Sequence, residues 1–207
     1  MDFIEVVKGR RSIRRFLPDP VPEEDIKEII RIGTLAPSAG NKQDWRILAV
    51  VNQELKNRMK DEVQKKLYSI AEHAGEKNPE SYSNRHSSIL FADAPVALVV
   101  LTRPYRGKMD ELMGVCGYVE AEIDYLRMRP DIQTIGGFVQ TILLAAYSLG
   151  YGSCWMVAPN TARHELEKLL KVEQPWSIAA IVAVGRPVKE PASKEVKPLS
   201  EVLEIIT

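Results

Sequence analysis

Six consecutive apolar residues, Val96-Ala97-Leu98-Val99-Val100-Leu101, constrain this chain more than any other feature. A strand with no polar side suits the middle of a sheet, covered on both faces. Ala94-Pro95 leads into it. The second fixed point is residues 132–149, where Ile135, Phe138, Val139, Ile142, Leu143 and Ala146 make one wide helical stripe. Gly136-Gly137 and Ala145-Ala146 on that helix are small enough for another backbone to approach closely. Around these, the pattern predicts strands at 47–51, 152–157 and 178–184. It predicts helices at 2–9, 22–36, 53–68 and 162–170. Residues 69–90 are polar and weakly patterned, and read as a mobile excursion with some helix, a natural lid or entrance. A chain of 207 residues with this order of elements reads as one domain, 1–207.

Lys and Arg total 28 and Asp and Glu total 28, so no overall field draws the chain to nucleic acid or to a membrane surface. Any anion it binds must be held by a local cluster. The start Met1-Asp2-Phe3-Ile4-Glu5 lacks the basic, then apolar, pattern of a secretory signal, and the expected location is the cytoplasm. No apolar run is long enough to span a bilayer. Cys116 and Cys154 are too few for a disulfide scaffold, lack metal or redox spacing, and are expected to be buried thiols. His73, His86 and His164 are scattered, so no metal site is expected.

Two segments carry chemistry. Arg10, Arg11, Arg14 and Arg15 crowd around Ser12 within six positions. Taken alone this is either a solvated basic turn or a place where guanidinium groups clamp a phosphate. In the second, Pro37 ends a helix, Ser38 and Asn41 offer hydroxyl and amide groups, Ala39-Gly40 leave backbone open to a ligand, and Trp45 is placed to wedge the loop against the core. An ordinary helix-to-strand loop has the same ingredients. Gly150-Tyr151-Gly152 is not a dinucleotide fingerprint, because the third glycine is missing and the pair lies between helix and strand, the reverse of what that turn needs. Cys154 with His164 would be a nucleophile pair on paper, but Cys154 sits mid-strand among apolar residues. A chain without evident acid/base equipment either only binds or lets a cofactor perform the chemistry.

The ordered set Arg10-Arg11-Ser12-Ile13-Arg14, the run from Ala36-Pro37-Ser38-Ala39-Gly40-Asn41 through Lys42-Gln43-Asp44-Trp45, the helix ending Leu149-Gly150 before Gly152-Ser153-Cys154-Trp155-Met156, and the late Gly185-Arg186-Pro187 resembles the FMN-dependent nitroreductase family along nearly the whole chain. The resemblance implies an α+β sandwich, a mostly antiparallel central sheet flanked by helices, in an intertwined homodimer with FMN at the subunit interface. It implies that Arg10, Arg11 and Ser12 hold the phosphate and ribityl chain, with Arg14 at the flavin N1/O2 edge. Pro37, Ser38, Ala39 and Asn41 would come from the partner subunit. Cys154, Trp155, Met156 and Val157 would line the ring, with backbone amides near Val157 and Ala158 close to N5. Arg186 would add a phosphate contact and Lys197 another, and 187–207 would be an arm reaching the partner.

By the same resemblance the chain is an oxidoreductase that takes hydride from NAD(P)H and passes it to a small acceptor such as a nitroaromatic or quinone, in ping-pong order. The alternatives are a specialised reductase of the same fold, such as a dehalogenase or enoate reductase, and a non-catalytic flavin-binding protein. Asp44 stands where the common form of the motif has Pro, and 69–90 and 103–131 match no motif.

Overall fold

The Val96–Thr102 strand is buried at every position and lies inside a sheet of order β1-β2-β4-β3, in a computed structural model that describes residues 2–189 and 195–206. The strands are β1 (Trp45–Val50), β2 (Val96–Thr102), β3 (Gly152–Met156) and β4 (Ser177–Gly185), and every pairing among them is antiparallel. An antiparallel strand buried on both faces is unusual, because such sheets commonly leave one face to water. Here helices cover both.

Side chains alternate across β2. Ala97, Val99 and Leu101 face a core with Met59, Val63 and Leu166, while Val96, Leu98 and Val100 face Ile29, Phe138 and Ile142. The first layer comes from α3 (Gln53–His73) and α9 (Arg163–Leu169), the second from α2 (Glu23–Gly33) and α8 (Pro130–Ser148). Each fully buried Val, Leu or Phe contributes about 1.5–3 kcal/mol, against about 0.5–1.5 net for a ladder hydrogen bond, so the two apolar layers dominate. The fold is α+β, as expected.

Several boundaries differ from the sequence pattern. The α3 helix runs five residues past Tyr68, and Ala71 continues its buried stripe. The 69–90 stretch is not a free excursion. It holds the end of α3, then α4 (Pro79–Ser83) and α5 (His86–Ile89), and Ser88 to Ala92 are buried in the α3-side core. Only four consecutive apolar residues, Ile89 to Ala92, do the anchoring, too few for a periodic signal. The unplaced 103–131 region contains α6 (Lys108–Val115) and α7 (Glu120–Arg127). Cys116, expected to be buried, is exposed just past the end of α6, whereas Cys154 is buried. Pro187 is not yet detached arm, because it bridges Phe16 while Val188 N–H donates to Arg15 O at 3.2 Å. Residues 195–206 are exposed, and 190–194 of the expected arm lie outside the described residues.

Candidate functional site

Helix α1 (Phe3–Gly9) stops where Arg10 turns extended, and the chain then lies along the free edge of β3. Ser12 and Ser153 form a parallel bridge, and Ile13 N–H donates to Ser153 O at 2.9 Å. This approach needs Gly152: a Cβ there would come within 2.5 Å of Ile13 Cγ1. The extended alternation buries Ile13 and leaves Ser12, Arg14 and Arg15 exposed.

Ser12, Ile13, Arg14, Arg15 and Lys189 line an open pocket of about 200 Å³. Among the described residues no carboxylate forms an ion pair with Arg10, Arg14, Arg15 or Lys189, although arginines elsewhere in the chain are paired. Four like charges without counterions favour an anion. Ser153 Oγ, directly across from Ser12, is buried with no hydrogen-bond partner.

Arg11 parts from this group. Its Nη1 donates to Lys8 O at 2.5 Å and Arg10 O at 2.9 Å, so its side chain caps the C-terminal end of α1. It lines a second, smaller pocket with Gly9, Tyr147, Tyr151 and Pro187. Arg186 lies on this side too, its guanidinium 5.1 Å from the centre of the Tyr151 ring. Tyr151 in turn donates its hydroxyl to Asp25 on α2.

The Pro37–Asp44 loop sits against the N-terminal part of α8. Thr134 Oγ1 accepts the Ala39 N–H at 3.0 Å, and Ser38 Oγ accepts the Gln43 N–H at 3.1 Å. Gly40, Asn41 and Gln43 have φ of 58°, 50° and 52°, a left-handed path that Gly and Asn tolerate and Gln does not favour. Trp45 is the expected wedge, stacked on Phe138 with ring centres 4.8 Å apart.

On β3 the alternation divides the expected ring-lining residues. Cys154 and Met156 are core side chains, while Trp155 and Val157 are exposed, and the Trp155 ring lies over Gly136. Burial pushes the Cys154 thiol up, and this outweighs the opposing fields of Arg14 and Arg10. His164 is exposed beside Glu167 and gives no sign of a Cys–His pair. Within one chain, no hydrogen bond among the described residues joins the 10–14 segment to the 37–41 loop.

Sequence reasoning missed four residues here. Lys189 lines the arginine pocket, and His86 Nε2 meets Arg14 O at 3.1 Å. Asp44 Oδ1 accepts from Arg103 Nε at 2.6 Å. The only signal for that pair was a carboxylate in place of the usual proline. Among the described residues no three His, Cys, Asp or Glu side chains gather as a metal site, and no helix is long and apolar enough to cross a membrane.

The profile of the Nitroreductase family matches residues 7–186. The chain belongs to the nitroreductase family. That match takes in the arginine segment, the Pro37–Asp44 loop, β3 and Arg186. A relative from Methanothermobacter thermautotrophicus, provisionally named an NADH dehydrogenase/NAD(P)H nitroreductase, is 27% identical over 94% of this chain and 82% of its own length. Among solved structures, a BluB-like flavoprotein of Clostridium difficile superposes with TM-score 0.89 and 27% identity, covering 100% of both chains. A nitroreductase with bound FMN from Desulfitobacterium hafniense shares the fold with TM-score 0.73 and 24% identity over 98% of this chain and 97% of that one.

Proposed function

We propose that this nitroreductase-family chain is an FMN-dependent oxidoreductase working as a homodimer. The observation that carries the reading is the Ser12–Arg14–Arg15–Lys189 pocket, cationic, free of carboxylates and set on the edge of β3 opposite an unpartnered Ser153 hydroxyl. Such donors suit a phosphate of about −1.5 to −2 charge, which relieves the repulsion among the guanidinium groups. When bound, FMN supplies hydride exchange between NAD(P)H and an acceptor such as a nitroaromatic or quinone, the chemistry for which the chain has no acid/base pair of its own.

The reading gives each residue a role. Arg10 and Ser12, with Arg15 and Lys189 of the pocket, hold the phosphate and ribityl end. Arg14, on the same exposed side as Ser12, sets a fixed positive charge against the pyrimidine edge, an electrostatic role that favours an electron-rich ring. Trp155 and Val157 offer side chains to a ring, whereas Cys154 and Met156 contribute only backbone. Arg11 acts by fixing the end of α1, and Arg186 turns from its stack on Tyr151 to add a phosphate contact. The partner's Pro37, Ser38, Ala39 and Asn41 complete each site. The lack of any hydrogen bond between the two segments among the described residues supports this, as do the exposed Phe3, Ile4 and Val7 on α1 and Val202, Leu203, Ile205 and Ile206 in the tail.

The test is direct. The purified protein should be yellow, and the apoprotein should bind FMN in preference to riboflavin. Equal affinity for the two flavins would remove the phosphate role, and a protein that binds neither sinks the reading. NAD(P)H should bleach the bound flavin, and a flavin that stays oxidised under NADH and NADPH would leave a binding protein. A second reading, a specialised flavoenzyme of the same fold, draws on the 0.89 superposition with the BluB-like flavoprotein. A panel of nitroaromatic, quinone, halogenated-aromatic and enoate acceptors separates the two.

A further inference from the structure

We propose that Asp44 and Arg103 are positioning residues that join the Pro37–Asp44 loop to the 103–127 excursion, so that acceptor selection depends on this ion pair. The part concerning acceptors rests on the oxidoreductase reading. The joint itself does not.

Asp44 has its side chain 7% exposed, and among the described residues Arg103 is its ion-pair partner. Burying a carboxylate is costly unless it is paired, so removing Arg103 leaves a charge that the loop must move to hydrate. Arg103 is itself held, its guanidinium 5.4 Å from the Trp176 ring centre, while Thr102 Oγ1 donates to Asp44 O at 3.3 Å. The pair therefore extends the β1–β2 ladder, in which Trp45 stands opposite Thr102, by one residue into the loop and the excursion.

The same loop is tied again two residues earlier. Lys42 Nζ donates to Arg106 O and lies 5.2 Å from the Tyr105 ring centre. From Arg106 polar contacts pass into the excursion: its Nη2 pairs with Glu120, and its Nη1 donates to Asp124 Oδ1 at 3.3 Å, both on α7. Arg127 Nε lies 3.1 Å from Asp110 Oδ1 and so links α7 to α6. Beyond α7 the chain enters α8, where Thr134 grips Ala39. The excursion thus leaves and returns beside one loop.

That loop cannot hold its shape alone. Gln43 at φ 52° is a strained residue that persists only when its surroundings fix it, and Asp44 is the next residue. Loosening the ion pair should release loop and excursion together.

The experiment uses the full chain with Arg103→Gln, Asp44→Asn and Arg103→Lys. Arg103 is nearly half exposed, so Arg103→Gln keeps the core intact. Hydrogen exchange without added flavin should show amides of 38–43 and of 108–127 exchanging at least about tenfold faster in both charge-removing variants, with Arg103→Lys close to the parent. Faster exchange confined to 38–43, or no change in either segment, overturns the joint. In the flavin-loaded enzyme, kept saturated with FMN because the loop also belongs to that site, the acceptor KM should rise at least about fivefold and by more than NAD(P)H bleaching slows. Equal losses in both half-reactions, or an unchanged KM, overturn the link to acceptor choice. A colourless parent that takes up no FMN would sink the oxidoreductase reading and the acceptor link with it, and exchange would still decide the joint.

Discussion

The hydroxyl of Tyr151, at the entry to β3, donates to Asp25 in the first turn of α2, under the guanidinium of Arg186. Tyr151 is 2% exposed, and burial first, then the Asp25 carboxylate, holds its phenol above the ordinary value. One contact thus braces both the helix that leads into the Pro37–Asp44 loop and the strand that carries Ser153.

Tyr151→Phe should cost about 1.5–3 kcal/mol at pH 7, the range for a hydrogen bond to a charged group. The folded phenol titrates above the unfolded one, so the unfolded chain loses its proton first as pH rises. The contribution of Tyr151 is therefore complete below the unfolded value of about 10 and is lost as pH climbs through the higher folded value. Urea unfolding at pH 7 and at about pH 10.5 should give a smaller alkaline loss in the variant. Identical alkaline losses in parent and variant would count against the Asp25 contact.

Gly152→Ala should be more damaging than a buried glycine change usually is. The new methyl meets Ile13, and Ile13 holds the segment that carries Ser12 and Arg14. We expect about 1–3 kcal/mol of destabilisation and weaker FMN binding in the same variant. Loss of stability with undiminished FMN affinity would show that the segment is not positioned by this contact.

Replacing Arg10 or Arg186 with alanine should weaken FMN by about 1.5–3 kcal/mol, with a much smaller effect on riboflavin. Arg186 reaches this result only if its guanidinium can leave Tyr151 for the phosphate. A normal FMN titration for Arg186→Ala would assign it to the Tyr151 stack alone.

Cys116 should react with a thiol reagent in the folded protein and Cys154 should not, because the first is exposed and the second is a protonated core thiol. Cys154→Ser and His164→Ala should keep NAD(P)H oxidation within about tenfold of the parent, a barrier change of about 1.4 kcal/mol at most. Loss of turnover in Cys154→Ser with FMN still bound would falsify the flavin-centred mechanism and revive the thiol nucleophile.

Ending the chain after Lys189 should yield monomer with poor FMN retention, since Pro187 and Val188 keep their pairing with Phe16 and Arg15 while the exposed apolar tail is gone. Sedimentation reads this result. A stable truncated dimer that holds FMN would refute the arm.

The sequence by itself determined the layers and the segments. A six-residue apolar run suits an interior strand, a wide apolar stripe suits a core-facing helix, and Trp45 beside a proline-ended loop suits a wedge against that core, which is where the structure has them. The arginine cluster and the Pro37 loop were legible because residue types with special chemistry stood close together in the chain. Tertiary structure alone decided which of them share a place. It turned Arg11 back onto α1, brought Lys189 to Ser12 from 177 positions away, and set Arg103 on Asp44 across 59. It buried Ser88 to Ala92 and exposed Cys116. Periodicity reports which face of an element is apolar, a local property. An ion pair or a pocket depends on where two distant elements meet, and one-dimensional spacing carries no record of that meeting until the core has packed.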